Sequence, residues 1–142
     1  MATRSTIALE FADGTIGQVY AHWDGYLAHN GKMLLEHYSN PFILRDLIDL
    51  GSISSLAPTI GTKHAFSHYD NDMTLVEFNN QYGNMTTFYG RDRGETNTDA
   101  TYFTDYEHFW LTVKKKNTIT FCEMLMVLLL GSYPIMVETL SC

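Results

Sequence analysis

The chain has 142 residues, 45% of them hydrophobic and 13% aromatic, which suits one domain with its own core and excludes a disordered tail protein. Its formal charge of −7 and pI of about 5.2 argue against a partner gripped through nucleic-acid phosphates, because that affinity needs Lys and Arg and only nine are present. Cys122 and Cys142 are the only cysteines. No disulfide framework holds the body, a reducing compartment is expected, and no signal-peptide run opens the sequence.

Ile7, Leu9 and Phe11 alternate with Ala8 and Glu10, the period of a half-buried strand. Asp13-Gly14 then interrupts before Val19, Ala21 and Trp23 alternate with Tyr20, His22 and Asp24. Asp-Gly tolerates the positive φ of a tight turn, so the two strands read as an antiparallel hairpin. Val19, Ala21 and Trp23 would face the core. His22 and Asp24 would share the other face at the strand's C-terminal end, beside the Gly25 break, where α/β layers place ligands.

Val19 to Tyr38 holds three of the six histidines. His22 with Asp24 is a candidate general base with its orienting carboxylate, although a hydrogen-bonded surface pair is the commoner role for that spacing. Met33 to Tyr38 reads as a short helix, with His37 as a second candidate base. Tyr26 is a candidate ligand contact beside them.

Asn40, Pro41 and Gly51 bracket a helix over Phe42 to Leu50 as cap, first residue and stop, with Ile43, Leu44, Leu47 and Ile48 at core spacing. Thr59 to Asn71 is a polar connection carrying His64 and His68. That i, i+4 pair could hold zinc, but Ala65 stands where a metalloprotease has Glu, and Asp70-Asn71-Asp72 lacks the later Gly and Glu of a calcium loop. No metal is expected.

Met73, Leu75 and Glu77 alternate with Thr74, Val76 and Phe78 as a third strand, and Met85 to Tyr89 reads as a fourth, antiparallel to it. Next comes Tyr89-Gly90-Arg91-Asp92-Arg93-Gly94-Glu95. Arginine suits bidentate recognition of phosphate or carboxylate, so Arg91, Asp92, Arg93 and Glu95 are candidate ligand contacts, the alternative being a self-neutralised salt-bridged turn. Asp99 to His108 reads as a helix and Phe109 to Val113 as a last strand. The expected fold is α+β, an antiparallel sheet of two hairpins with two to three helices packed on one face. Residues 1–113 form the domain.

The body resembles a family of small proteins of tailed phages and prophages, T-even-type phages included. The resemblance rests on Ala2-Thr3-Arg4-Ser5-Thr6-Ile7, His22-Trp23-Asp24-Gly25-Tyr26, Leu34-Leu35 with His37-Tyr38, and the Tyr89 to Glu95 heptapeptide. It covers about residues 2 to 110, implies action in the cytoplasm of an infected host cell, and brings no established activity with it.

After Trp110 the resemblance stops. Lys114-Lys115-Lys116 precedes an apolar segment whose uncharged run, Met124 to Val137, is 14 residues long, against the ~20 a membrane helix needs. Residues 114–142 therefore read as an apolar tail, expected to be poorly ordered, from a shifted reading frame or as a real appendage.

The expected function is that of a phage accessory protein, binding a host protein or a small anionic ligand through the His22/Asp24 and Arg91/Arg93 loops. The alternative is a small enzyme on a phosphate-containing substrate, with His22 or His37 as base and Arg91 or Arg93 as phosphate clamp. A third reading uses the tail at a membrane. No cofactor and no nucleic-acid partner are expected, and the sequence leaves open both whether there is an activity and the oligomeric state.

Overall fold

The structure, a computed structural model, describes residues 4–11, 13–25, 27–105, 107–109, 111, 124–129 and 136–139, with Leu27 and the last two segments as backbone only. Tyr26, the lysine run Lys114 to Lys116 and both cysteines lie outside the described residues.

Strands β1 (Ser5–Glu10) and β2 (Ile16–Ala21) form the expected antiparallel hairpin, with Ile7 opposite Val19. Its turn closes as the Asp-Gly pair requires. Asp13 Oδ1 accepts the Thr15 N–H at 3.0 Å and the Thr15 hydroxyl at 2.6 Å, and Gly14 takes φ of +88°, where a side chain would be strained.

A π-helical turn, Leu27–Gly31, leads into α1 (Lys32–His37). The next helix, α2 (Pro41–Asp49), starts where its cap was expected: the Asn40 side chain accepts the Phe42 N–H at 2.9 Å, and Pro41 supplies no donor that would go unpaired. The helix packs on β1 and β2 through Leu44, Leu47 and Ile48, all buried. Ile43, expected inside, is 42% exposed, and Phe42 is exposed too. The apolar stripe is narrower than the sequence spacing implies, because the inward face is filled by the other three residues.

Beyond α2, β3 (Ile53–Ser55) lies parallel to β2, and β4 (Thr87–Phe88) lies antiparallel to β3. Between them, α3 spans Leu75–Tyr82 and α4 follows at Tyr89–Arg93. A short β5 (Thr101–Phe103) pairs with the start of β2, and β6 (Met124–Leu129) and β7 (Met136–Thr139) extend the sheet on the far side of β1. The strand order is β4-β3-β2-β1-β6-β7.

The α+β class holds, but the sheet is mixed rather than antiparallel. β1 runs parallel to β6 over six positions, Ser5 with Met124 through Glu10 with Leu129. Ile7, Ala8 and Leu9 are all fully buried, so both faces of β1 are covered, as suits a central strand between two neighbours. Two segments of the apolar tail are thus strands of the sheet, where the sequence offered no alternation to place them.

The third strand expected over Met73 to Phe78 is instead helix α3. Thr74 Oγ1 accepts the Glu77 N–H at 3.2 Å while Glu77 Oε2 accepts the Thr74 N–H at 2.9 Å. This reciprocal cap satisfies two donors that a helix start otherwise leaves open, and it outweighs a short run of alternation. The expected fourth strand shortens to β4. The expected Asp99 to His108 helix is replaced by β5 and a helical turn at 107–109, which includes Phe109, expected in a strand.

One hydroxyl ties the layers at the far end of β3. Tyr38, buried after α1, donates to the Ala57 carbonyl at 2.6 Å and meets Thr86 Oγ1 at 3.1 Å. Burial raises the phenol's pKa above its usual value.

Candidate functional site

β2 ends at Ala21, but its pairing with β3 continues through two more backbone bonds, His22 N–H to Ile53 O at 3.0 Å and Trp23 N–H to Ser54 O at 3.1 Å. His22 and Trp23 are therefore held as firmly as strand residues. The chain then turns sharply. Asp24 adopts φ of +56°, a left-handed conformation that costs an ordinary residue on the order of 1 kcal/mol and is retained where the surroundings impose it.

Those surroundings are polar. Asn30, fully buried in the π-helical turn, donates its side-chain amide to the Trp23 carbonyl at 3.1 Å and accepts from His29 Nδ1 at 2.9 Å. The Asn30 N–H donates to the Asp24 carbonyl at 3.3 Å. His29 Nε2 lies 4.0 Å from the Asp24 carboxylate. A left-handed residue, a π-turn and a buried amide thus fix the backbone of Trp23, which is itself 45% exposed.

That indole heads a row of rings. Trp23 stands edge-on to His22 at 4.8 Å between centroids, His22 meets Tyr89 at 6.4 Å, Tyr89 meets Phe66 at 5.5 Å, and the Arg93 guanidinium lies 5.0 Å over Phe66. Tyr20 flanks the row, its hydroxyl 2.6 Å from His22 Nδ1. The phenol and Nδ1 share one hydrogen, so Nε2 is the ring nitrogen on the side away from Tyr20.

The arginine-rich segment forms α4 and is bonded inward. Arg91 directs Nε–H to Asp92 Oδ1 at 3.0 Å, Nη1 to the carbonyls of Ile60 and Gly61, and Nη2 to the Thr86 carbonyl and Asp92 Oδ2. All five guanidinium donors are matched. Asp92, with no exposed side-chain surface, also accepts the N–H groups of Phe88 at 2.8 Å and His64 at 3.1 Å. Arg93 and Glu95 are exposed and 3.5 Å apart.

His64 is enclosed in the same framework. Its Nδ1 lies 2.8 Å from the Thr62 carbonyl, which can only accept, so Nε2 is left to accept the Thr87 hydroxyl at 3.2 Å. The ring stacks on Tyr82 of α3 at 5.1 Å. His68 is separately engaged, against Tyr69 at 3.9 Å.

The expected site residues therefore divide. His22 and the α4 segment come together, through Tyr89 and on to Arg93. Asp24 turns away from His22 toward His29, His37 pairs with Glu36 at 3.8 Å on the surface of α1, and Arg91 with Asp92 forms an internal tie. Trp23, Asn30, Phe66 and Tyr89 escaped sequence reasoning as site residues. The one available signal was the aromatic density around His22. Among the described residues no group of three or more His, Cys, Asp or Glu is placed to hold a metal ion, and no helix is long and apolar enough to cross a membrane. No known protein family, curated protein or solved structure matches the chain.

Proposed function

We propose that this chain is a binding protein, an accessory factor of the phage type its sequence resembles, and that it engages its target at the turn following β2. The observation that carries this reading is the held but half-exposed Trp23. A left-handed Asp24 and a fully buried Asn30 hold the backbone of a residue whose ring is left to solvent, and an exposed aromatic on a rigidly held turn suits recognition rather than the core.

The phosphate-clamp alternative finds less support in the same geometry, because every donor of Arg91 is already matched within the fold. Neither His22 nor His37 is oriented by Asp24, whose carboxylate faces His29. Binding requires only that the aromatic row present its edges.

A photo-crosslinking residue placed at Trp23 and, separately, at the exposed Phe42 of α2 tests this in host cells under infection. The expected result is a discrete adduct from position 23 that is missing from position 42. Equal adduct patterns from both positions, or a catalytic turnover by the purified chain that His22→Ala removes, would overturn it.

A further inference from the structure

We infer that the row formed by Trp23, His22, Tyr89 and Phe66 is a docking surface for an extended, proline-containing peptide bearing a basic residue; this rests on the binding role proposed above and names its ligand class. Three features of the row point there.

The rings come from three separate parts of the chain, the end of β2, the connection after β3 and the start of α4, and they follow one another at centroid steps of 4.8, 6.4 and 5.5 Å. A polyproline II chain advances about 3.1 Å per residue, so successive rings fall roughly two residues apart along such a ligand. Aromatic walls of this kind receive proline rings without requiring the ligand to give up much conformational freedom.

Two polar tips of the row, the Trp23 indole N–H and the Tyr89 hydroxyl, are donors. Among the described residues the Trp23 indole N–H, His22 Nε2 and the Tyr89 hydroxyl have no hydrogen-bond partner, whereas His22 Nδ1 is occupied by Tyr20. A polyproline II backbone makes no internal hydrogen bonds and a proline offers a carbonyl without an N–H, so its unmet need is for donors. A surface of indole and phenol edges meets that need while the ring faces take the pyrrolidine rings.

Charge selects the flank. The Asp24 side chain is 48% exposed next to Trp23, with His29 at 4.0 Å, and the whole chain carries −7, so a Lys or Arg beyond the prolines is attracted to that end. Arg93 marks the other end, where Glu95 offsets it.

The test is a titration of the full-length chain, followed through the Trp23 indole N–H resonance, which is assigned by its loss in Trp23→Phe. Four probes are added in turn: a ten-residue proline-rich peptide ending in two lysines, the same peptide ending in two glutamates, an alanine-for-proline version with the lysines kept, and adenosine monophosphate. The expected outcome is a saturable shift with the first peptide, an affinity weaker by about tenfold or more for the other two peptides, and, by isothermal titration calorimetry with the first peptide, a similar loss on Trp23→Ala or Tyr89→Phe. Equal binding of the alanine version, or binding that survives Trp23→Ala, would overturn the proposal. If adenosine monophosphate shifts the resonance and no peptide does, the peptide class is wrong while the binding site stands. If no probe shifts it and position 23 also gives no crosslink, both readings fall. Since the Trp23 ring is largely outside the core, thermal melts of the variants should match the parent and exclude unfolding as the cause.

Discussion

Asp92 Oδ1 accepts the backbone N–H of His64 at 3.1 Å, joining α4 to the connection that follows β3 and α2. The same carboxylate neutralises Arg91 and closes the first turn of α4 through Phe88. Removing it leaves a nearly buried guanidinium without its counter-charge and two backbone N–H groups unmatched. Asp92→Ala should cost about 3 kcal/mol or more, read as a lower urea midpoint with an unchanged slope. Arg91→Ala should destabilise as well, because its side chain is only 13% exposed; a stable Arg91→Ala protein would show that the tie is dispensable.

Asp24 and Asn30 make a paired prediction about the turn. Replacing Asp24 with Gly relieves the positive φ and should leave stability level or raise it by up to about 1 kcal/mol, whereas Asp24→Val, branched at Cβ, should lower it by a similar amount. Asn30→Ala strands the Trp23 carbonyl and should cost about 2 kcal/mol. It should also change Trp23 fluorescence, separating loss of the turn from loss of the fold. Chemical denaturation of the three variants decides the matter, and a stabilising Asp24→Val would refute the strain argument.

Alkaline pH should expose the link between β5 and α2. Desolvation of the Tyr102 phenol and its 2.6 Å hydrogen bond to Asp49 push its pKa up to about 12, above the ordinary value near 10. The folded state favours the neutral phenol, so this contribution is fully present below pH 10 and is lost as pH rises to about 12. Tyr102→Phe should lose about 1 kcal/mol or less at neutral pH, the bond being near the surface, and should show a shallower fall in stability from pH 10 to 12. Parallel pH curves for the two proteins would contradict the assignment.

Truncation after Lys116 probes the tail. The cut removes β6 and β7 and leaves one side of β1 unpaired along Ser5 to Glu10. A loss of roughly 3 kcal/mol is expected, at half a kcal/mol for each of about six ladder bonds. The exposed edge should also promote association, visible by sedimentation. A truncated chain as stable and as monomeric as the parent would restore the reading of residues 114–142 as a dispensable appendage.

What the sequence disclosed was mostly local chemistry. Asp13-Gly14 specified a hairpin and Asn40-Pro41 a helix start because cap and turn residues act on neighbours one to four positions away. The same logic is present at Thr74 and Glu77, where a reciprocal cap competes with a short alternating run that reads as a strand, and the cap wins. The β1–β6 pairing could not be read at all, since a run such as Met124 to Leu129 carries no periodicity and its partner lies at the opposite end of the chain. The site was legible by half. His22 stood out as a histidine near an acid, yet its neighbours are Tyr20, Trp23 and Tyr89, and Asp24 turned elsewhere once its φ became positive. Arg91 and Arg93 look alike in sequence, and only the surrounding carbonyls of Ile60, Gly61 and Thr86 distinguish the interior one.

The parallel pairing of Ser5 with Met124 also sets a schedule for biosynthesis. A ribosome adding 5–20 residues per second delivers β6 on the order of ten seconds after β1, and closing so long a loop makes this contact slow as well as late. Throughout that interval the hairpin of β1 and β2 waits with one edge uncovered. The nascent chain therefore carries an open strand edge until its last segment emerges, and its yield in a cell should depend on translation speed more than the stability of the finished protein would indicate.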